Sequence, residues 1–126
     1  MKFVIDTSVL IDHLRLGVKS SVIFDQILQQ DAELFIPTIV VFELFSGKSA
    51  ADPSVAGEIK NLLKDFKRIE FTEKIAIRAG ELNREIGRHI SPQDYIVAAS
   101  TIEIGGQVVT LNRKDFEQIP TVSLYR

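Results

Sequence analysis

Short apolar runs alternate with stretches of helical periodicity along the whole chain. Phe3-Val4-Ile5 is continuously apolar, the pattern of a strand covered on both faces, and Lys2 to Ile5 is predicted as a buried strand. Ser8 can cap a helix that runs to about Leu16 and stops at Gly17. Ser20 or Ser21 opens a second helix, with Ile23, Ile27 and Leu28 on one face. Glu33 to Ile36 reads as a short strand stopped by Pro37, and Thr38 caps an apolar helix that ends near Gly47. Pro53 starts another, with Ile59, Leu62, Leu63 and Phe66 at helical spacing. Arg68 to Phe71 is a strand. Thr72 opens an amphipathic helix with Ile75, Ala79, Leu82 and Ile86 inward and Lys74, Arg78, Glu81 and Glu85 outward. Ser91-Pro92 starts the last long helix, which ends at Gly105-Gly106. Gln107 to Thr110 is a strand, Asn112 to Phe116 a helical turn, and Thr121 to Leu124 a final strand.

Strands alternating with helices give an α/β fold: three layers, α/β/α, around a mostly parallel sheet of about five strands. The 126 residues form one domain, long enough to bury a core. Cysteine is absent, which removes disulfides, thiolate metal sites and a cysteine nucleophile. No run approaches the roughly 20 apolar residues of a membrane span, and the N-terminal apolar run is too short for a signal peptide. A cytoplasmic protein is expected. A net charge of -2 gives no footprint of nucleic-acid binding by itself.

Four acids change this picture. Asp6 follows Phe3-Val4-Ile5, and Glu43 sits within Ile39-Val40-Val41-Phe42-Glu43-Leu44-Phe45. A carboxylate so surrounded must be paired, protonated or bound to a cation, and that segment holds no Lys or Arg. Asp94 stands three residues after Ser91, and Asp115 three after Asn112; either could simply close a capping box. In parallel α/β sheets, however, ligands bind at the carboxyl ends of the strands. Asp6 lies just past one strand end and Asp115 five residues past Thr110, so the acids converge on that edge. Carboxylates without His or Cys suit hard cations such as Mg²⁺ or Mn²⁺.

Other candidates read as structure. Asp12 points away from Asp6 and reads as a surface acid. His13 and His89 lack ligand spacing. No triad surrounds Ser8, and no phosphate-binding glycine loop is present. Lys60, Lys64, Lys67 and Arg68 read as a solvated face. Arg113 and Lys114 are the basic pair best placed to meet a phosphate backbone.

The run Phe3-Val4-Ile5-Asp6-Thr7-Ser8-Val9-Leu10-Ile11-Asp12 resembles the start of PIN-domain proteins. So do Val40-Val41-Phe42-Glu43-Leu44, Asp94-Tyr95-Ile96-Val97-Ala98-Ala99-Ser100 and Val108-Val109-Thr110-Leu111-Asn112-Arg113-Lys114-Asp115-Phe116, in the family's order and across nearly the whole chain. In size the chain is similar to the toxin ribonucleases of virulence-associated toxin–antitoxin pairs. The resemblance implies a Mg²⁺- or Mn²⁺-dependent ribonuclease with ligands Asp6, Glu43 and Asp94. The fourth position is either Asp115 or Asn112. Thr7, Thr110 and Ser8 would orient the acids. It also implies a cognate antitoxin and a homodimer, for which the apolar residues Ile39, Phe42, Leu44, Phe45, Ile59, Leu62 and Leu63 offer surface.

Such a site hydrolyses phosphodiesters by in-line displacement, two cations roughly 4 Å apart stabilising the attacking and leaving oxygens. Single-stranded or loop RNA would enter it most readily, leaving 5′-phosphate and 3′-hydroxyl ends. Two other classes compete: a receiver-like phosphoacceptor domain, and a non-catalytic RNA- or protein-binding module on the same fold.

Overall fold

The computed structural model describes residues 1–126. Strand β1 (Lys2–Ile5) forms because Phe3, Val4 and Ile5 are fully buried and each apolar side chain finds cover on its own face of the sheet. It pairs in parallel with β2 (Glu33–Pro37) on one side, Val4 opposite Phe35, and with β4 (Gln107–Val109) on the other, Val4 opposite Val108. β3 (Lys67–Ile69) extends the sheet beyond β2, giving the order β3-β2-β1-β4. The predicted final strand over Thr121 to Leu124 is reduced to one parallel bridge, Leu124 to Val108. Pro120 and the exposed Thr121 leave too little chain there for a ladder. The sheet therefore has four strands.

The chain leaves β1, builds outward through β2 and β3, then returns to place β4 on β1's other flank. The order reverses between β1 and β4, and a crevice opens beyond the carboxyl ends of strands at such a point. Asp6 follows β1 there, and Thr110 follows β4.

Seven α-helices flank the sheet: α1 (Thr7–Leu14), α2 (Val18–Leu28), α3 (Thr38–Ser46), α4 (Pro53–Leu63), α5 (Glu73–Ile86), α6 (Pro92–Ile104) and α7 (Arg113–Phe116). A 3-10 turn, Lys48–Ala51, links α3 to α4 and has no signature in the sequence. The Thr72 and Ser91 hydroxyls accept from the N–H groups of Ile75 and Asp94, as the capping patterns predict. Three other starts differ. α1 begins one residue before Ser8, with Asp6 at the N-cap position and no side-chain cap. Ser8 is thereby free for tertiary bonds. α3 begins at Thr38 itself, whose hydroxyl accepts from Phe71 N–H in another segment. α2 begins at Val18, and its third amide, Ser20 N–H, donates to Asp12 Oδ2 at 2.9 Å. Asp12 is therefore a structural acid that caps a helix from outside, and the bonds to Ser20 hold its carboxyl below the usual range.

α6 is buried around most of its circumference: Tyr95, Val97, Ala98, Ala99, Ser100 and Thr101 are all covered. Ser100 and Thr101 satisfy their hydroxyls within the helix, donating to the carbonyls of Ile96 and Val97. α6 packs on β1 and β2 with α5 against it. Gly105, at φ +67, ends it in the left-handed conformation that glycine tolerates.

Candidate active site

Asp6 is 5% exposed, the only buried acid in the chain. Burial is tolerable because one carboxylate oxygen is fully served: Oδ2 accepts from Thr110 Oγ1 at 2.8 Å and from Ser8 Oγ at 3.0 Å. Those two hydroxyls lie 3.2 Å apart and are themselves fixed by the main chain past β4. Leu111 N–H donates to Ser8 Oγ at 3.0 Å, and Asn112 N–H to Thr110 Oγ1 at 2.9 Å. The network sews the end of β1 to the end of β4.

Glu43 reaches the same edge from the middle of α3. Thr7 Oγ1 donates to its Oε1 at 2.9 Å. No protein donor meets Asp6 Oδ1 or Glu43 Oε2, and no fully buried side-chain oxygen in the molecule lacks a partner, so both oxygens open toward solvent. Each of these acids thus has one oxygen held and one presented.

Asp94 projects from the first turn of α6. Its carboxyl is pushed up to about 6, first by desolvation and then by repulsion from Asp6, Asp115 and Glu43. Desolvation is also the main cause that raises Glu43, with Asp6 adding to it and the Thr7 bond opposing it. No Lys or Arg contributes to either shift. Asp94 therefore feels the other three acids across the switch point and Glu43 feels Asp6, and none of the four is in an ion pair.

Asp115 is held by Asn112, whose Nδ2 donates to Asp115 Oδ2 at 3.0 Å. The amide nitrogen of Asn112 is committed to the acid, which leaves the Asn112 carbonyl oxygen and the second Asp115 oxygen without a protein donor or partner. No three His, Cys, Asp or Glu side chains close tightly enough to enclose a bare ion. An all-oxygen, uncompensated donor set of this looseness fits a hard cation that keeps part of its water shell, as Mg²⁺ does.

The remaining sequence candidates fall elsewhere. His13 sits edge-on to Phe24, and His89 is bonded to Gln118, so neither joins the acids. Arg113 is occupied: its Nη1 donates to Tyr125 O at 3.0 Å and its Nε lies 3.6 Å from Glu117. Of the basic pair foreseen for a phosphate backbone, only Lys114 is without an ion-pair partner. Leu44, Ile59 and Leu63 are in the core, so the apolar surface for association is smaller than the sequence implied. The large apolar residues that stay exposed are Met1, Ile11, Leu16, Val18, Val22, Leu28, Phe42, Phe71 and Ile77.

A PIN domain family model matches residues 3–122. The chain belongs to the PIN domain family. It is 34% identical over 111 residues to Ribonuclease VapC10 of Mycobacterium tuberculosis, covering 86% of this chain and 80% of that protein. To Ribonuclease VapC19 of the same organism it is 29% identical over 122 residues, covering 92% and 93%. Its fold superposes with a TM-score of 0.84 on a chain of the VapBC2 structure from Rickettsia felis bound to a promoter DNA fragment, at 22% identity and over 99% and 98% of the two chains. PIN membership sets aside the receiver-like alternative.

Proposed function

We propose that this PIN domain is a divalent-metal-dependent endoribonuclease, hydrolysing RNA phosphodiesters, and the toxin of a toxin–antitoxin pair. The observation that carries the reading is the group of four acids at the switch point of the sheet, Asp94 repelled by the other three and none of them in an ion pair. The ribonuclease names of the relatives and the VapBC assembly of the structural neighbour support it.

In this reading Asp6, Glu43, Asp94 and Asp115 hold the cation, Mg²⁺ or Mn²⁺. Bound there, it supplies charge stabilisation at the phosphate and an activated water. Ser8 and Thr110 fix Asp6 so that Oδ1 faces the crevice, Thr7 does the same for Glu43, and Asn112 for Asp115. Holding ligands by outer hydrogen bonds sets their orientation before the cation arrives. None of the acids is left with a cation or a buried donor on its open oxygen, so the crevice repels a polyanion until metal reverses its sign. The acids thus gate substrate entry as well as reaction.

A cytoplasmic location follows from RNA as substrate. The antitoxin partner and a homodimer belong to the same reading, with Phe42, Phe71 and Ile77 as the exposed apolar residues available to the dimer. The deciding experiment is cleavage of single-stranded RNA by the purified chain with Mg²⁺, with Mn²⁺ and with EDTA. Metal-dependent products ending in 5′-phosphate are expected; metal-independent cleavage, or none with either ion, overturns the proposal. Light scattering at micromolar concentration tests the dimer, which a monomer mass refutes.

A further inference from the structure

We infer that Arg88 and Lys114 form a cationic clamp that grips the RNA backbone on the α6–α7 rim of the acidic crevice; this rests on the ribonuclease reading above. Both side chains are exposed and neither takes part in an ion pair. They come from segments distant in the chain, and a single glutamine joins them. Gln118 Nε2 donates to the Lys114 carbonyl oxygen at 3.2 Å, which turns Gln118 Oε1 toward the loop between α5 and α6. There it meets His89 Nε2 at 2.8 Å. With the amide so oriented, His89 Nε2 carries the proton and donates.

The loop that carries Arg88 is anchored at three points. Tyr95, fully buried, donates its hydroxyl to Gly87 O. His89 is tied to α7 through Gln118, and Ile90 is buried in the core. Gly87 adopts φ +124, a conformation closed to other residues without strain, which lets the chain turn at that point. An arginine carried on a loop fixed this firmly, yet paired with no acid, is suited to a ligand from outside. Its neighbours in space define the ligand. Lys114 precedes Asp115, and the anchored loop leads through Ser91 into Asp94. Gln118 thus holds the Arg88 loop against α7, which carries Lys114 and Asp115, and the same loop runs into the first turn of α6, which carries Asp94. Arg offers a fork for phosphate oxygens and Lys a mobile point charge, a combination matched to successive phosphates and not to bases.

The test is binding of a labelled single-stranded RNA by fluorescence anisotropy in EDTA and in Mg²⁺, across a salt series, for wild type, Arg88→Ala, Lys114→Ala and the double variant. Lys67→Ala, whose residue pairs with Glu33 at the opposite end of the sheet, is the control. Each phosphate contact on a single strand contributes about 0.7 to the slope of log affinity against log salt, so each clamp variant should lose about fivefold at 0.1 M salt and the double variant about twentyfold. In cleavage the loss should fall on KM. Wild type that neither binds nor cleaves overturns the ribonuclease reading and the clamp with it. Wild type that cleaves, with slope and KM unchanged in both variants, overturns the clamp alone. Retained RNA affinity with weakened capture of a partner protein also overturns it, making the rim a protein contact.

Discussion

Thr7 Oγ1 donates to Glu43 Oε1 at 2.9 Å, joining the first turn of α1 to the middle of α3. The bond steadies one oxygen of an acid whose apolar helix gives it no other partner, and it opposes the desolvation that raises Glu43. Thr7→Val keeps the shape and removes the donor. Loss of one net hydrogen bond costs about 1 kcal/mol of stability. With the opposing bond gone, Glu43 rises further, and the acid limb of the pH–activity profile should move to higher pH. A profile that overlays wild type would show that Glu43 takes no part in the reaction.

The raised carboxyl of Asp94 makes a pH prediction for the metal-free protein. Its ordinary value is 3.8 and its folded value about 6. Between these the unfolded chain has released the proton and the folded one still binds it, so stability falls as pH rises through that window and the penalty is complete above it. Asp94→Asn should therefore melt higher than wild type in EDTA at neutral pH and should flatten the decline. Melting curves from acid to neutral pH decide this. Equal melting temperatures at neutral pH would show that the Asp94 carboxylate carries no penalty from desolvation or from its neighbours.

Metal should reverse that order. A cation that binds only the folded chain raises its melting temperature, and the gain requires deprotonated carboxylates. Wild type should gain stability with Mg²⁺ or Mn²⁺ above about pH 6, whereas Asp94→Asn and Asp6→Asn should gain little. Asp6→Asn can still accept from Ser8 and Thr110 through its amide oxygen, so the fold should persist while cleavage falls. Outer partners of metal ligands typically contribute about 10–100-fold, and a direct ligand should cost at least that. Full activity in Asp6→Asn would remove Asp6 from the site.

Asn112→Ala isolates the support of Asp115. Activity should fall about 10–100-fold, as for other outer-shell losses, with little change in melting temperature because the pair is exposed. Raising the metal concentration should restore part of the rate if Asn112 acts by orienting a ligand. No response to metal would assign it a different role.

Much of the fold was legible because local chemistry and tertiary need agree. The Phe3-Val4-Ile5 run, the caps at Thr72 and Ser91 and the Gly105 stop sit where the pattern puts them. The acids were legible as misfits: Glu43 in an apolar helix and Asp6 at the end of an apolar strand have no packing reason to be charged. Long-range partners were not legible. Asp12 looked like a surface acid because Ser20 N–H, eight residues on, is brought back by the turn at Leu16, itself at φ +57. Arg113 looked free because Tyr125 O approaches it only in three dimensions, although Glu117, four residues on, was readable from the spacing. The last strand failed because its apolar residues were counted without the single bridge they can make.

The bond from Thr110 to Asp6 spans 104 residues, and it has a consequence for how the protein is made. Asp6 is synthesised about a hundred residues before Thr110 and before the strand β4 that flanks β1. Until then β1 has an open flank, Ser8 lacks its amide from Leu111, and Asp115 has not been synthesised. A growing or prematurely terminated chain therefore carries three of the acids without the arrangement that makes them a site. Closure of the Asp6 network therefore waits for β4 and the residues that follow it.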